Sequence, residues 1–273
     1  MNTRRLILAY HRVLPNPDDP LAVSLQQFRD QLTYLQDQGW MSVTLQGIAS
    51  PELWSSFGGR SLVAITFDDG YLDNYLFAAP ILKELGFHAT FFVVTGYVGT
   101  SKIFPWMSKS STSLSKINLP MGWEEVRQLR DEGFEVGSHT VTHSLLTQVT
   151  AKEALKELDD SRRTLQEQLE VPIMSICYPA GNYNQQIVRM ARQVGYQLGV
   201  VTPCWAGVKE TRLTLRRVGV YGSNSFRIFQ LKVSPIFPLV RELMLMLGPR
   251  QRGLLPATKR FKWLARATKD VED

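Results

Sequence analysis

Three short stretches of this 273-residue chain carry side chains suited to hydrolytic chemistry. The first is TFDDGYLDN (66–74), where Asp68 and Asp69 follow an apolar run. Consecutive residues at a strand end point in different directions, so one carboxylate can ligate a metal while the other stays free as a base. The same pair also reads as an ordinary turn or helix N-cap. The second is GSHTVTHSLL (137–146), with His139 and His143 four residues apart. On a helical turn that spacing puts both imidazoles on one face, able to share a metal ion. With only four histidines in the chain, this outweighs the plainer reading of two surface or core histidines. The third is CYPAGNYN (177–184), where Pro179 and Gly181 let the backbone turn and present free N–H groups. Alone, it is just a turn.

The elements around these stretches bring them to one place. Residues 6–11, 61–67, 88–94, 134–139, 173–179 and 196–201 read as strands. Residues 24–39, 123–133, 150–169 and 184–195 read as helices, and another ends near Gly86. Ser24 with Gln27, and Thr150 with Glu153, have the spacing of capping boxes. Such alternation predicts a largely parallel sheet, either an α/β barrel or an open α/β sheet. In both, active sites form at the C-terminal edge of the strands, where all three stretches fall. Residues 97–122 break the rhythm with a Ser/Lys-rich loop carrying Phe104, Pro105 and Trp106. It reads equally as part of a ligand site or as a solvated insertion.

The ordered set ITFDDGY, GSHTVTH and CYPAGNYN resembles the motifs of the polysaccharide deacetylase family, the NodB-like (family 4-like) carbohydrate esterases. HATFFVV and WEEVRQLRDEGFEVGSHTVTH extend the resemblance, which spans residues 5–222. It implies an α/β fold, a distorted (β/α) barrel of about seven strands rather than eight. It also implies metal-dependent removal of an N-acetyl group from an amino sugar. Carried over by motif position, Asp69, His139 and His143 would hold a divalent metal, zinc first, with cobalt, nickel, manganese or iron as alternatives. Asp68 would be the general base. Tyr178, Pro179, Ala180 and Tyr183 would line the oxyanion and substrate side, with the Ala180 N–H facing the oxyanion. Two imidazoles and one carboxylate leave positions open for water and an acetyl oxygen, and the metal would acidify that water and polarise the carbonyl.

The chain departs from the family pattern in one respect. A late histidine, which would protonate the departing amine, is missing: none follows His143. The late segment TLRRVGVYG (214–222) offers Arg216 and Arg217 instead, and Arg217 is expected to orient Asp68. AYHRVLP near the start resembles a subgroup with rotated element order that includes poly-N-acetylglucosamine deacetylases. There the acid sits on the first strand, here His11, and a closed barrel makes first and last strands neighbours. As the acid, His11 should face Asp68 across the metal; its plainer reading is a core histidine bonded to backbone. His88, at the opposite end of a strand, reads as structural.

Two domains are expected: a catalytic domain over 1–222 and a basic amphipathic extension over 223–273. The net charge of +6 belongs to the extension, where ten Lys/Arg face four Asp/Glu; the preceding residues are balanced. A basic body built to grip nucleic acid is therefore excluded. Residues 226–248 read as a closing helix on the barrel, while 249–273 read either as an unstructured end or as a segment lying on an anionic membrane face. Cys177 and Cys204 read as free thiols. No signal-peptide-like apolar run of about 7–15 residues opens the chain, so the expected location is cytoplasmic, at the inner membrane face if 249–273 is the membrane-lying segment. The expected partner is a cell-envelope amino-sugar glycan or a lipid-linked saccharide. Alternatives are a deformylase or other deacylase of a lipid-linked amino sugar, and a non-catalytic carbohydrate-binding relative.

Overall fold

The longer strands are buried on both faces, as parallel strands covered by helices must be. The computed structural model describes residues 4–17, 19–107, 116–202, 210–237 and 240. Strand β1 (Arg5–Tyr10) leads into a two-stranded parallel pair, β2 (Arg12–Leu14) with β3 (Ala22–Ser24), and then α1 (Leu25–Asp37). The capping box of Ser24 and Gln27 starts α1. Next come β4 (Met41–Ser42), α2 (Leu45–Ile48) and β5 (Leu62–Phe67). A π-helical turn over Asn74–Ala78 runs into α3 (Ala79–Glu84), followed by β6 (Ala89–Val93), α4 (Trp123–Asp131) and β7 (Glu135–Ser138). The chain continues through α5 (Ala151–Leu169), β8 (Ser175–Cys177), α6 (Gln185–Val194) and β9 (Leu198–Val201). It closes with β10 (Leu215–Arg216), β11 (Val218–Gly219) and α7 (Phe226–Val233).

The main sheet runs β10-β9-β8-β7-β6-β5-β1-β11, all parallel, with β4 beside the start of β5. Its two ends are one piece of chain. β10 pairs with β9 and β11 pairs with β1, and only Arg217 separates them. This short seam joins both edges into a nearly closed barrel, and first and last strands are neighbours.

Period-two alternation divides the core. Ile7, Leu62, Ala64, Phe92, Cys177, Leu198, Val200 and Leu215 form one buried cluster inside the barrel. Leu8, Tyr10, Val63, Ile65, Phe67, Phe91, Val93 and Ile176 face outward and meet the helices in another. Helix α5 presents Ala154, Leu158, Ser161, Leu165 and Leu169 to that layer at helical spacing.

The sequence reading placed the long helices and the strands from β5 to β9. It did not anticipate β2, β3, β4, β10 or β11, whose two or three residues are too short to show a period. Of the expected closing helix, α7 packs on the barrel: Phe229 lies against Tyr34 of α1 with ring centroids 6.3 Å apart. Residues 238, 239 and 241–248 of that expected helix, the segment 249–273 expected to face a membrane, and Cys204 lie outside the described residues. Among those described, no helix is long and apolar enough to cross a membrane.

Candidate active site

Every singled-out polar residue of the site follows the C-terminal end of a strand. His11 follows β1, Asp68 and Asp69 follow β5, His139 follows β7, and Arg217 follows β10. The alternation that sorts the core also sorts the two aspartates. Ala64, Thr66 and Asp68 share the inward parity, so Asp68 stands over the barrel mouth. Asp69 then turns away on left-handed backbone, with φ 75°. Gly70 continues that turn at φ 82°, and a Cβ there would meet Val93 Cγ1 at 2.9 Å. Glycine is required on both counts.

Asp68 is held by one cation. Arg217 donates from Nη1 to Oδ1 and from Nη2 to Oδ2, both at 2.7 Å. The guanidinium is itself fixed by Thr66 Oγ1 at 2.9 Å and Thr202 Oγ1 at 2.8 Å, and its Nη2 lies 3.1 Å from Cys177 Sγ. Such a planar fork matches a carboxylate as a lysine would not. Burial works to raise the Asp68 pKa, but the Arg217 charge and hydrogen bonds outweigh it and hold the carboxyl at about 2. Asp68 is therefore ionised at any working pH. Asp68, His139 and Cys177 also lie close enough together to suggest a metal grouping, but Arg217 already fills that space.

Among the described residues, Asp69 meets no cation of that kind. Its Oδ1 lies 3.4 Å from His139 Nε2 and 3.5 Å from His143 Nε2. Ligands about 2.1 Å from a tetrahedral zinc stand about 3.4 Å from one another, so these donors have the separation a small divalent cation requires. His139 Nδ1 lies 2.7 Å from the Cys177 carbonyl, which can only accept, so Nδ1 carries a proton and Nε2 is the atom turned to the site. Burial, with the charge of His139, pushes His143 down to about 3 and leaves it neutral. Burial opposes charge on His139 too, but Cys177 and Asp69 outweigh it and raise its pKa.

The two histidines do not meet as expected from their spacing. Residues 139–143 are not a helical turn. Thr140 and His143 are left-handed, with φ 68° and 63°, and the ring centroids come within 4.7 Å, edge to face. Glu157 of α5 anchors the turn by accepting from the N–H groups of Val141 and Thr142 at 2.9 Å each.

His11 is half-buried, and its Nε2 lies 3.9 Å from Asp68 Oδ2. This corrects the expectation that it faces Asp68 across the site: the two share one edge, because β1 and β5 are directly paired. Asn74 donates to the His11 carbonyl at 2.9 Å and Asp73 accepts from Val13 N–H at 3.0 Å, so the segment after β1 is clamped by the turn after β5. Arg12 seals the clamp, fully buried, with its Nε 2.7 Å from Asp73 Oδ2. Arg216 is half-buried and does not reach Asp68 among the hydrogen bonds described; the neighbouring Arg217 does.

The third stretch divides. Pro179, Ala180 and Gly181 form a single tight turn with Ala180 left-handed at φ 53°. Tyr178 does not line the substrate side with its ring. Alternation sends Cys177 inward and Tyr178 outward, where it is 1 % exposed in the helix-facing core and stacked on the half-buried Tyr183 at 5.5 Å. His88 is exposed at the far end of the barrel, its N–H bonded to Ser42 Oγ at 2.8 Å.

One residue of the site escaped sequence reasoning. Trp106, in the loop after β6, donates from Nε1 to Asp69 Oδ2 at 3.1 Å and stacks on His143 with centroids 4.1 Å apart. The only sequence signal was an aromatic cluster inside an otherwise Ser/Lys-rich loop.

A family model described as "Polysaccharide deacetylase" matches residues 58–199. The chain belongs to the polysaccharide deacetylase family. YxkH of Bacillus subtilis (strain 168), a protein named for the same family, is 29% identical over 222 residues, covering 81% of this chain and 70% of YxkH. The poly-β-1,6-N-acetyl-D-glucosamine N-deacetylase of Staphylococcus aureus (strain MSSA476) is 27% identical over 184 residues, covering 65% of this chain and 60% of that one. Among solved structures, the Streptococcus pyogenes deacetylase PplD superposes with a TM-score of 0.66 at 24% identity, over 86% of this deacetylase-family chain and all of PplD. IcaB from Ammonifex degensii does so with a TM-score of 0.64 at 24% identity, over 88% and 97%. At that identity the two structures establish the fold: a NodB-like (β/α) barrel.

Proposed function

We propose that this polysaccharide deacetylase-family protein is a metal-dependent hydrolase removing an N-acetyl group from an amino-sugar glycan or glycoconjugate. The observation that carries the reading is the pairing of two unlike carboxylates. Asp69 Oδ1 completes a three-donor cluster with His139 and His143, and Asp68 stands beside it, ionised and fixed by Arg217. The relation to a poly-β-1,6-N-acetyl-D-glucosamine N-deacetylase supports an amino-sugar substrate.

A cation held by Asp69, His139 and His143, zinc being the first choice for this donor set, would polarise the acetyl carbonyl and acidify a water. Asp68 accepts the proton of the attacking water. Its low pKa makes it a weak base, so the proton does not rest there. His11, 3.9 Å from Asp68, takes the role of acid toward the departing nitrogen. That span exceeds direct hydrogen-bond reach, so a proton passing from Asp68 to His11 needs one bridging water or a small rotation of the imidazole. Arg217 keeps Asp68 ionised and aimed, and the Ala180 N–H would serve the oxyanion, since the N–H groups of Gly181 and Asn182 are spent on the Tyr178 and Pro179 carbonyls.

The test is acetate release from β-1,6- and β-1,4-linked N-acetylglucosamine oligomers, with metal content measured on the same sample. Wild-type protein should release acetate with one metal bound, and Asp68→Asn should keep the metal and release acetate about 10²–10⁴-fold more slowly. Metal lost together with activity in Asp68→Asn would reverse the roles of the two aspartates. Formate from an N-formyl sugar, with no acetate from any oligomer, would replace the substrate reading.

A further inference from the structure

Resting on the reading of Asp69, His139 and His143 as a metal site, we propose that Trp106 is a positioning residue of that site and that the described parts of its loop, 97–107 and 116–122, help to build it. A carboxylate offers two oxygens and can swing between binding through one or both. In Asp69 the choice is made: Oδ1 faces His139 and His143, and Oδ2 accepts the indole N–H of Trp106 at 3.1 Å. Hydrogen bonds of this kind to the far side of a ligand orient it and tune its affinity for metal.

The indole is pinned. It stacks on His143 at 4.1 Å with 24° between the planes, and on Phe104 at 4.8 Å with 27°. Tyr97 meets it edge-on at 5.6 Å. Phe104 is 1 % exposed and packs edge-on to Tyr71, two residues beyond Asp69, at 4.8 Å. Trp106 thus touches two members of the cluster at once, one through a hydrogen bond and one through its ring face.

The loop is stapled to the turn that carries Asp69. Met121 N–H donates to the Gly70 carbonyl at 2.9 Å and Leu72 N–H to the Leu119 carbonyl at 2.9 Å. Gly99 N–H donates to the Met121 carbonyl at 2.9 Å, which ties the two ends of the loop together. Arg12, next to His11, reaches the Ile117 carbonyl at 3.0 Å and Asn118 Oδ1 at 2.8 Å. The described parts of the loop therefore grip both the Asp69 turn and the His11 segment, and Trp106 touches the metal-ligand cluster directly.

The experiment measures Zn²⁺ affinity of the metal-free full chain by competition with a chromophoric chelator, and visible absorption of the Co²⁺-loaded protein. Wild type, Trp106→Phe and Asp69→Asn are compared. Phenylalanine keeps an aromatic ring for stacking, is smaller than indole, and deletes the N–H donor. The expected result is affinity about tenfold to a hundredfold weaker in Trp106→Phe. Its Co²⁺ bands should shift, and its metal-free unfolding midpoint should match wild type. Equal affinity with unchanged bands would overturn the positioning role, as would an affinity loss that only tracks a lower midpoint. Asp69→Asn should lose tight binding altogether. If wild type binds no metal, the metal-site reading itself falls and takes the positioning role with it, an outcome distinct from one in which wild type and Asp69→Asn behave as stated while Trp106→Phe is unchanged.

Discussion

Asp68 and Asp69 are adjacent in the chain and sit in pockets of opposite construction. The Asp68 pocket is complete: Arg217 neutralises both carboxylate oxygens, and two threonines and a cysteine saturate the guanidinium. Among the described residues, the Asp69 pocket has two imidazoles, one indole N–H and no permanent cation of its own. Buried charge is tolerated only when compensated. The protein compensates the first carboxylate internally, with a group that never dissociates. It leaves the second to a proton or to an external cation. A base that must stay charged and fixed is thereby separated from a ligand that must be able to exchange its partner.

That contrast can be broken from either side. The largest effect is expected from Asp68→Asn, which keeps the shape of the side chain and removes the base: acetate release should fall about 10²–10⁴-fold with metal content intact. Next is Arg217→Met, which leaves a buried carboxylate without its counter-charge. Chemical denaturation should show a loss of about 3–5 kcal/mol, and activity should fall as Asp68 loses both its fixed orientation and its ionisation. His11→Ala should lower turnover about 10²-fold while Zn²⁺ affinity stays within a factor of about two; an emptied metal site would move His11 from acid to structural support.

The smallest effect expected is in the pH dependence of stability. The Asp68 carboxyl is held at about 2 in the folded chain, below its ordinary 3.8, because Arg217 outweighs the burial that would raise it. A folded pKa below the unfolded one gives stability that is fully present above about pH 4 and is lost as pH falls toward about 2. The loss should be about 2 kcal/mol, read as the difference in unfolding free energy between wild type and Asp68→Asn shrinking across that window. A difference that stays constant from about pH 5 to about pH 2 would show that Asp68 is not ion-paired as drawn.

Much of this was readable in the residues. The strand at 62–67 announces itself by an unbroken apolar run, and the Asp-Asp-Gly after it by the turn that glycine permits. Helix α5 is legible from its Thr150–Glu153 box and its apolar stripe. His139 and His143 were singled out by spacing, yet the spacing argument assumed a helix and the chain builds a left-handed turn held by Glu157. Tyr178 was assigned to the substrate side, although alternation from the inward Cys177 already turns it to the core. Trp106 could not have been placed, because its contact with Asp69 spans 37 residues across a loop with no period.

Residue type and local spacing establish which chemistry is on offer, since the acidity of a carboxylate and the ligand strength of an imidazole belong to the side chains themselves. They also establish which strand ends carry it, because strand and turn signals are local. The division of labour between the two aspartates lies beyond that reach. It depends on barrel closure, where the seam at β10 and β11 brings Arg217 to Asp68 across 149 residues. It depends equally on strand pairing, which puts His11 beside Asp68 instead of opposite it. No local pattern encodes those meetings, because each is set by which strands become neighbours when the sheet curls shut.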